Sequence, residues 1–153
     1  MKYFLLLFFF ISPISFASNA KEINQVLDQL HLSASKAEGK RYFSLFSSNA
    51  VFIGTDPDEI WTIQDFKNYA LPYFDKGAGW TYLPRDRHIY LSESEQTAWF
   101  DEMLDNEKYG ETRGTGVLIY TKEGWKISQY HLTLPIPNSL TKTVAQLIKE
   151  STK

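Results

Sequence analysis

Asp101 and His131 are the two residues whose types best suit chemistry. A carboxylate near an imidazole in a partly dry pocket is a workable general acid–base pair, because imidazole changes charge close to neutral pH. The plainer alternative is a packed histidine and a carboxylate kept for a structural salt bridge. Arg113 offers a planar fork that would suit a ligand carboxylate; a solvent-facing or interface role is its alternative. Trp61, Tyr69, Tyr73 and Trp99 could line an apolar or aromatic ligand pocket, or each could simply be core. His31 sits beside an apolar helical stripe and reads as a packed histidine, while Arg85, Asp86, Arg87 and His88 mix charges on one strand and read as a solvated face.

Other site types fit poorly. The three histidines lie far apart and show no metal-ligand spacing. Asp56-Pro57-Asp58-Glu59 lacks the regular spacing and glycine of a calcium loop. Gly77-Ala78-Gly79 and Gly114-Thr115-Gly116 lack the strand–helix context of a phosphate loop, and no serine sits in a nucleophile elbow. The chain has no cysteine, which removes disulfides, thiol catalysis and cysteine-based zinc sites. Neither a metal nor a cofactor is expected.

These residues need elements to position them. Ile23, Val26, Leu27, Leu30 and Ala34 recur at helical spacing, which predicts an amphipathic helix over about 21–37, ended near Gly39. Tyr42, Phe43, Leu45 and Phe46 suggest a shorter second helix. Ala50-Val51-Phe52-Ile53 reads as a buried strand stopped by Gly54 and Pro57. Thr62 is a good N-cap with Asp65 three residues on, and Phe66, Tyr69, Ala70 and Tyr73 line a third helix that Pro72 kinks or ends. From residue 79 the period becomes strand-like, in runs at about 79–91, 96–105, 109–121 and 125–135 whose short links suit hairpins. Leu140, Val144, Leu147 and Ile148 fit a last helix after Ser139. Helices followed by a twisted meander is an α+β pattern, with the helices packed on one face of the sheet.

Alternation along the last strand puts Trp125, Ile127, Gln129 and His131 on one face and Lys126, Ser128, Tyr130 and Leu132 on the other. With a turn of two or four residues the first set lies beside Tyr120, Leu118, Gly116 and Gly114, whose glycines would leave room beside His131 or mark a bulge. The same alternation puts Arg113 on the face opposite His131 unless a bulge at Gly114 re-aims it.

The chain has 153 residues, and its first twenty carry 14 apolar side chains, six of them aromatic. Lys2, the unbroken run Phe4 to Ile11, and small residues before Ala17 and Ala20 make a secretory signal peptide pattern, with cleavage after either alanine. The run is too short for a membrane span. What remains, about residues 21–153, suits one domain, periplasmic or secreted and free of the membrane after processing. Without Lys2 it has 15 Lys+Arg against 18 Asp+Glu, a net charge of −3, with no basic run to attract nucleic acid.

The order of elements resembles the nuclear transport factor two-like fold. Phe52-Ile53-Gly54-Thr55-Asp56-Pro57-Asp58-Glu59-Ile60-Trp61 is similar to the strand and loop after the first helices of SnoaL-like domains, and Ala98-Trp99-Phe100-Asp101-Glu102 to their central strand. Gly114 to Leu118 and Gly124-Trp125-Lys126-Ile127 through His131 to Pro137 resemble their final hairpin, and more distantly that of the calcium/calmodulin-dependent kinase association domain. The resemblance spans roughly 22–138. It implies a cone: a curved antiparallel sheet wrapped around the N-terminal helices, with a pocket at its open end and homodimers often paired through the outer sheet face. It also implies that Trp99 and Asp101 face the cavity, and that Trp61, Tyr69 and Tyr73 approach from the helical side.

Three functions stay open. The first is a small-molecule-binding protein, the second a cofactor-independent acid–base enzyme (isomerase, dehydratase or hydrolase type) using Asp101 and His131. The third is an oligomerisation or interaction module without a ligand, which predicts an interior filled by Trp and Tyr side chains.

Overall fold

The computed structural model describes residues 13–151, with side chains from residue 17. The apolar run Phe4 to Ile11 lies outside the described residues. Helix α1 (Pro13–Ser35) carries Ile23, Leu27, Leu30 and Ala34 into the core. It ends where Ala37 turns left-handed at φ 55°, two residues before the glycine expected to stop it. Gly39 instead opens α2 (Gly39–Ser44), packed so closely on the next helix that a Cβ there would stand 2.7 Å from Leu71. After β1 (Phe46–Ile53) and the short β2 (Ile60–Thr62) comes α3 (Ile63–Phe74). Thr62 caps α3 by accepting from the Asp65 amide at 3.2 Å, and its hydroxyl donates to the Asp65 carboxylate at 2.6 Å. The helix runs two residues past Pro72.

The remaining strands are β3 (Leu83–Leu91), β4 (Thr97–Asn106), β5 (Gly110–Thr121) and β6 (Gly124–Thr133), followed by α4 (Thr141–Ser151). The sheet order is β2-β1-β6-β5-β4-β3. The meander β3 to β6 is antiparallel as expected, and β1 joins β6 in parallel. One face of this open, curved sheet wraps α1 and α3 to form the α+β cone. Tyr42 is the hub of the core, its ring 5.1 to 6.3 Å from those of Phe43, Phe46, Phe66, Phe74 and Trp80. Burying large rings in edge-to-face arrangements adds to the area term that holds α2 and α3 on the sheet. Among the described residues no helix is long and apolar enough to cross a membrane.

Two irregularities decide which side chains enter the cone. In β6, Ile127 pairs with Leu118 and Gln129 with Val117, so Ser128 is an extra, unpaired residue. In β3, Arg85 pairs with Met103 and His88 with Asp101, and Asp86 takes φ 49° within the interruption. Each bulge resets the alternation of faces beyond it.

Candidate functional site

The bulge at Ser128 corrects the expected face of His131. Trp125 and Ile127 point into the cone, but beyond the bulge Tyr130 takes the inward position and His131 turns outward. Arg113 therefore shares a face with His131, contrary to expectation, and that face is solvent-exposed. Asp101 also faces outward, because Ala98, Phe100, Glu102 and Leu104 are the buried positions of β4. Asp101 and His131 are cross-strand partners of the same Thr115, which spaces their backbones about 10 Å apart at two strand separations. The hydrogen-bond partner of Asp101 is His88 Nδ1, at 3.0 Å. Trp99 lies on the outer face too, 47% exposed and stacked on Tyr90 at 5.8 Å. Trp61, Tyr69 and Tyr73 form a half-exposed run on the helical side, with rings 4.7 and 5.4 Å apart; Tyr69 is pushed above its ordinary pKa by burial and by Tyr73. The structure thus turns Asp101, His131, Arg113 and Trp99 away from the cone interior and leaves Tyr69 and Tyr73 half-exposed, while Trp61 packs partly buried against the edge of the core.

The interior holds a different constellation. His31 projects from the apolar stripe of α1, and its Nε2 meets Glu102 Oε1 at 2.7 Å. Glu102 is fully buried on the inward face of β4. Its second oxygen accepts from Arg87 Nε at 2.7 Å. Arg87 was expected in solvent; the bulge at Asp86 turns it inward instead. Its Nη1 donates to Asp28 at 2.7 Å and to the Asn24 side chain at 3.0 Å, and its Nη2 is buried without a partner among the described residues. A buried carboxylate is tolerable only when paired and hydrogen-bonded, and both oxygens here are. Burial works against the charge on Arg87, but Glu102 and Asp28 outweigh it and hold the guanidinium above its ordinary pKa. Nε2 of His31 is the ring nitrogen taken up by Glu102, which leaves Nδ1 outside that bond.

Next to this network lies a cavity of about 20 Å³, room for one water. Its polar wall is His31, Tyr42, Tyr82 and Tyr130; Phe52, Trp80 and Leu132 are among its apolar wall. Burial raises the Tyr42 and Tyr130 phenols well above their ordinary pKa, with Glu102 adding to the rise at Tyr130. Both therefore remain neutral hydrogen-bond donors. The glycines of β5 do leave room, but for these groups. A Cβ on Gly114 would stand 2.6 Å from the Tyr130 hydroxyl and 3.1 Å from Glu102, and one on Gly116 would stand 2.8 Å from Phe100. The arrangement can hold one water and offer it hydrogen bonds from the phenols and the His31 ring. The sequence held a faint signal for Glu102, a lone carboxylate in the alternating set Ala98, Phe100, Leu104. It held none for Arg87, whose inward turn depends on the bulge.

The family model described as SnoaL-like domain matches residues 23–137. A comparison with curated proteins finds no match. Among solved structures, a domain of unknown function with a cystatin-like fold from Nostoc punctiforme superposes with a TM-score of 0.70 at 15% identity, covering 86% of each chain. A nuclear transport factor two-like protein of unknown function from Pseudomonas putida gives 0.66 at 8% identity, covering 80% of this chain and 90% of its own. A Novosphingobium aromaticivorans protein with the provisional name scytalone dehydratase gives 0.66 at 12% identity, covering 82% and 89%. At these identities the likeness is one of fold.

Proposed function

We propose, from the premise that the chain belongs to the SnoaL-like domain family, that the interior of its cone is a small-molecule site in which His31 supplies acid–base capacity. The observation that carries this reading is the network that runs from the exposed Asp28 through Arg87 to the buried Glu102 and His31, and ends on an imidazole lining an interior cavity. Burying that many polar groups is costly, and a purely structural core would do as well with apolar side chains. Binding is the primary activity. Catalysis by proton transfer, with His31 Nδ1 taking a proton from a substrate carbon and returning it at another, is the alternative. The provisional dehydratase name of one structural neighbour accords with it. Asp101 and His131 have no part in this chemistry. The N-terminal apolar run supports export, which N-terminal sequencing of the protein from cell fractions would check.

The test is a binding screen of small neutral compounds, any larger than water entering only as the interior widens, followed by nuclear magnetic resonance. His31→Ala should weaken any hit at least about tenfold, the loss of one well-placed hydrogen bond in a dry site. His131→Ala should leave it unchanged. Equal affinity in both variants would remove the proposed site.

A second reading concerns the outer face. The stacked Tyr90–Trp99 pair stands exposed there, and exposed aromatics mark interaction surfaces. They support a homodimer through the sheet. Light scattering should show a dimer that Trp99→Glu converts to monomer; an unchanged mass would exclude this face.

A further inference from the structure

Helix α4 leaves β6 through residues 134–140 and buries none of its own residues. Leu140 opens its first turn, its carbonyl accepting from the Val144 amide at 3.0 Å. Leu140, Val144 and Leu147 recur at helical spacing along one side, while Lys142 and Lys149 fall on the other. Leu134 and Ile136 each precede a proline, which holds them extended, and both stand exposed. A helix of 11 residues is marginal in water by itself, and what ordinarily holds one is a covered apolar side.

The same chain carries a surface to match. On the outer sheet face Tyr90 pairs with Trp99 and Trp99 with Val117, a row across β3, β4 and β5. Area decides what this row needs. A stable interface covers roughly 800 Å² on each partner, of which about 450 Å² is apolar. Half-exposed as they are, Tyr90 and Trp99 can bury at most about 230 Å² between them. Leu134, Ile136, Leu140 and Leu147 are 44 to 59% exposed. At about 60–120 Å² for a fully buried aliphatic side chain, they add roughly 120–240 Å². Face and segment together approach the apolar area of a stable interface; the aromatic pair alone supplies about half of it.

Resting on the outer-face reading above, we infer that α4 is the arm of a two-fold dimer: the C-terminal segment of each copy, from Leu134 through Leu147, lies across the outer sheet face of the other. The fold of a single chain leaves stripe and face both uncovered. A two-fold axis covers each with the other, because a surface made of arm and face is complementary to itself. Lys142 and Lys149 then stay in water.

Light scattering and disulfide trapping of the full chain test this. Leu147→Asp should raise the dimer dissociation constant at least about tenfold, by placing a charge in the apolar contact, while Lys149→Asp leaves it unchanged. Both variants should fold, because α4 is no part of the core. The chain has no native cysteine. Isotope-labelled Leu147→Cys mixed with unlabelled Val117→Cys should therefore give, on oxidation, a disulfide-linked pair of mixed mass. A dimer unmoved by Leu147→Asp but broken by Trp99→Glu overturns the arm and leaves the outer-face reading standing. A monomeric chain, or a dimer that neither substitution breaks, overturns both. A disulfide formed within one chain of the doubly substituted protein means that the arm folds on its own sheet, and overturns the exchange. Binding to phosphatidylglycerol vesicles that Leu147→Asp abolishes would make the cover a membrane, and overturns it as well.

Discussion

At the scale of single residues, Asp101 and Glu102 are adjacent in sequence and opposite in circumstance. Asp101 bonds to a histidine on the exposed face, while Glu102 has no solvent contact and holds two partners. Glu102→Gln would leave the Arg87 charge buried without its strongest neutralising group. We expect a loss of about 3–5 kcal/mol, the usual result of removing one member of a buried pair. Asp101→Asn should stay within about 0.5 kcal/mol, because an exposed ion pair is screened by water and salt. Urea unfolding of the two variants measures the contrast, and equal effects would show that the network does not carry its charge inside.

At the scale of elements, β5 and the bulge in β6 fit together through backbone. A Cβ at Gly116 would lie 2.2 Å from the Gln129 carbonyl oxygen, just past the bulged residue. Backbone held in a ladder cannot yield as a side-chain tip can. Gly116→Ala should therefore cost at least about 2 kcal/mol, within the range of overpacked cores. Gly110 makes a useful contrast. It turns the β4–β5 hairpin at φ 71° with open space around it, so Gly110→Ala should cost only the left-handed backbone strain of about 1–2 kcal/mol. Thermal unfolding should rank the two in that order, and the near-ultraviolet aromatic signal should change only for Gly116→Ala.

At the scale of the whole molecule, the buried phenols set a limit on alkaline stability. Tyr42 and Tyr130 hold their protons in the folded state to higher pH than an unfolded chain does. Their contribution is complete below the unfolded value of about 10 and is lost as pH rises above it, because only the unfolded state then releases protons. Each should steepen the fall by about 1.4 kcal/mol per pH unit there. Denaturation followed from pH 9 to 11 should show that slope reduced by one tyrosine's share in Tyr130→Phe. A slope unchanged by that substitution would mean that Tyr130 ionises without unfolding.

The sequence by itself determined the architecture, because that rests on local periodicity. The stripe Ile23–Leu27–Leu30–Ala34, the Thr62 cap and the four alternating runs with their short links each declare an element within a few residues. The run of helices before a meander then fixes the α+β layering, and the SnoaL-like resemblance through Gly114–Leu118 and Gly124–Ile127 follows the same local strings. Only the tertiary structure decided the site. His131 and Tyr130 take their expected faces from counting alternate residues, and Arg87 its solvent reading from its charged neighbours; both rules fail wherever one extra residue enters a strand. Ser128 and Asp86 are such residues, and neither is a glycine or a proline that would mark the place. Their bulges depend on how β5 and β4 meet them across the sheet. The buried charges depend on α1, far away in sequence, bringing His31 and Asp28 to Glu102 and Arg87. An alternation rule sees one strand at a time, whereas this site is a juxtaposition of three elements.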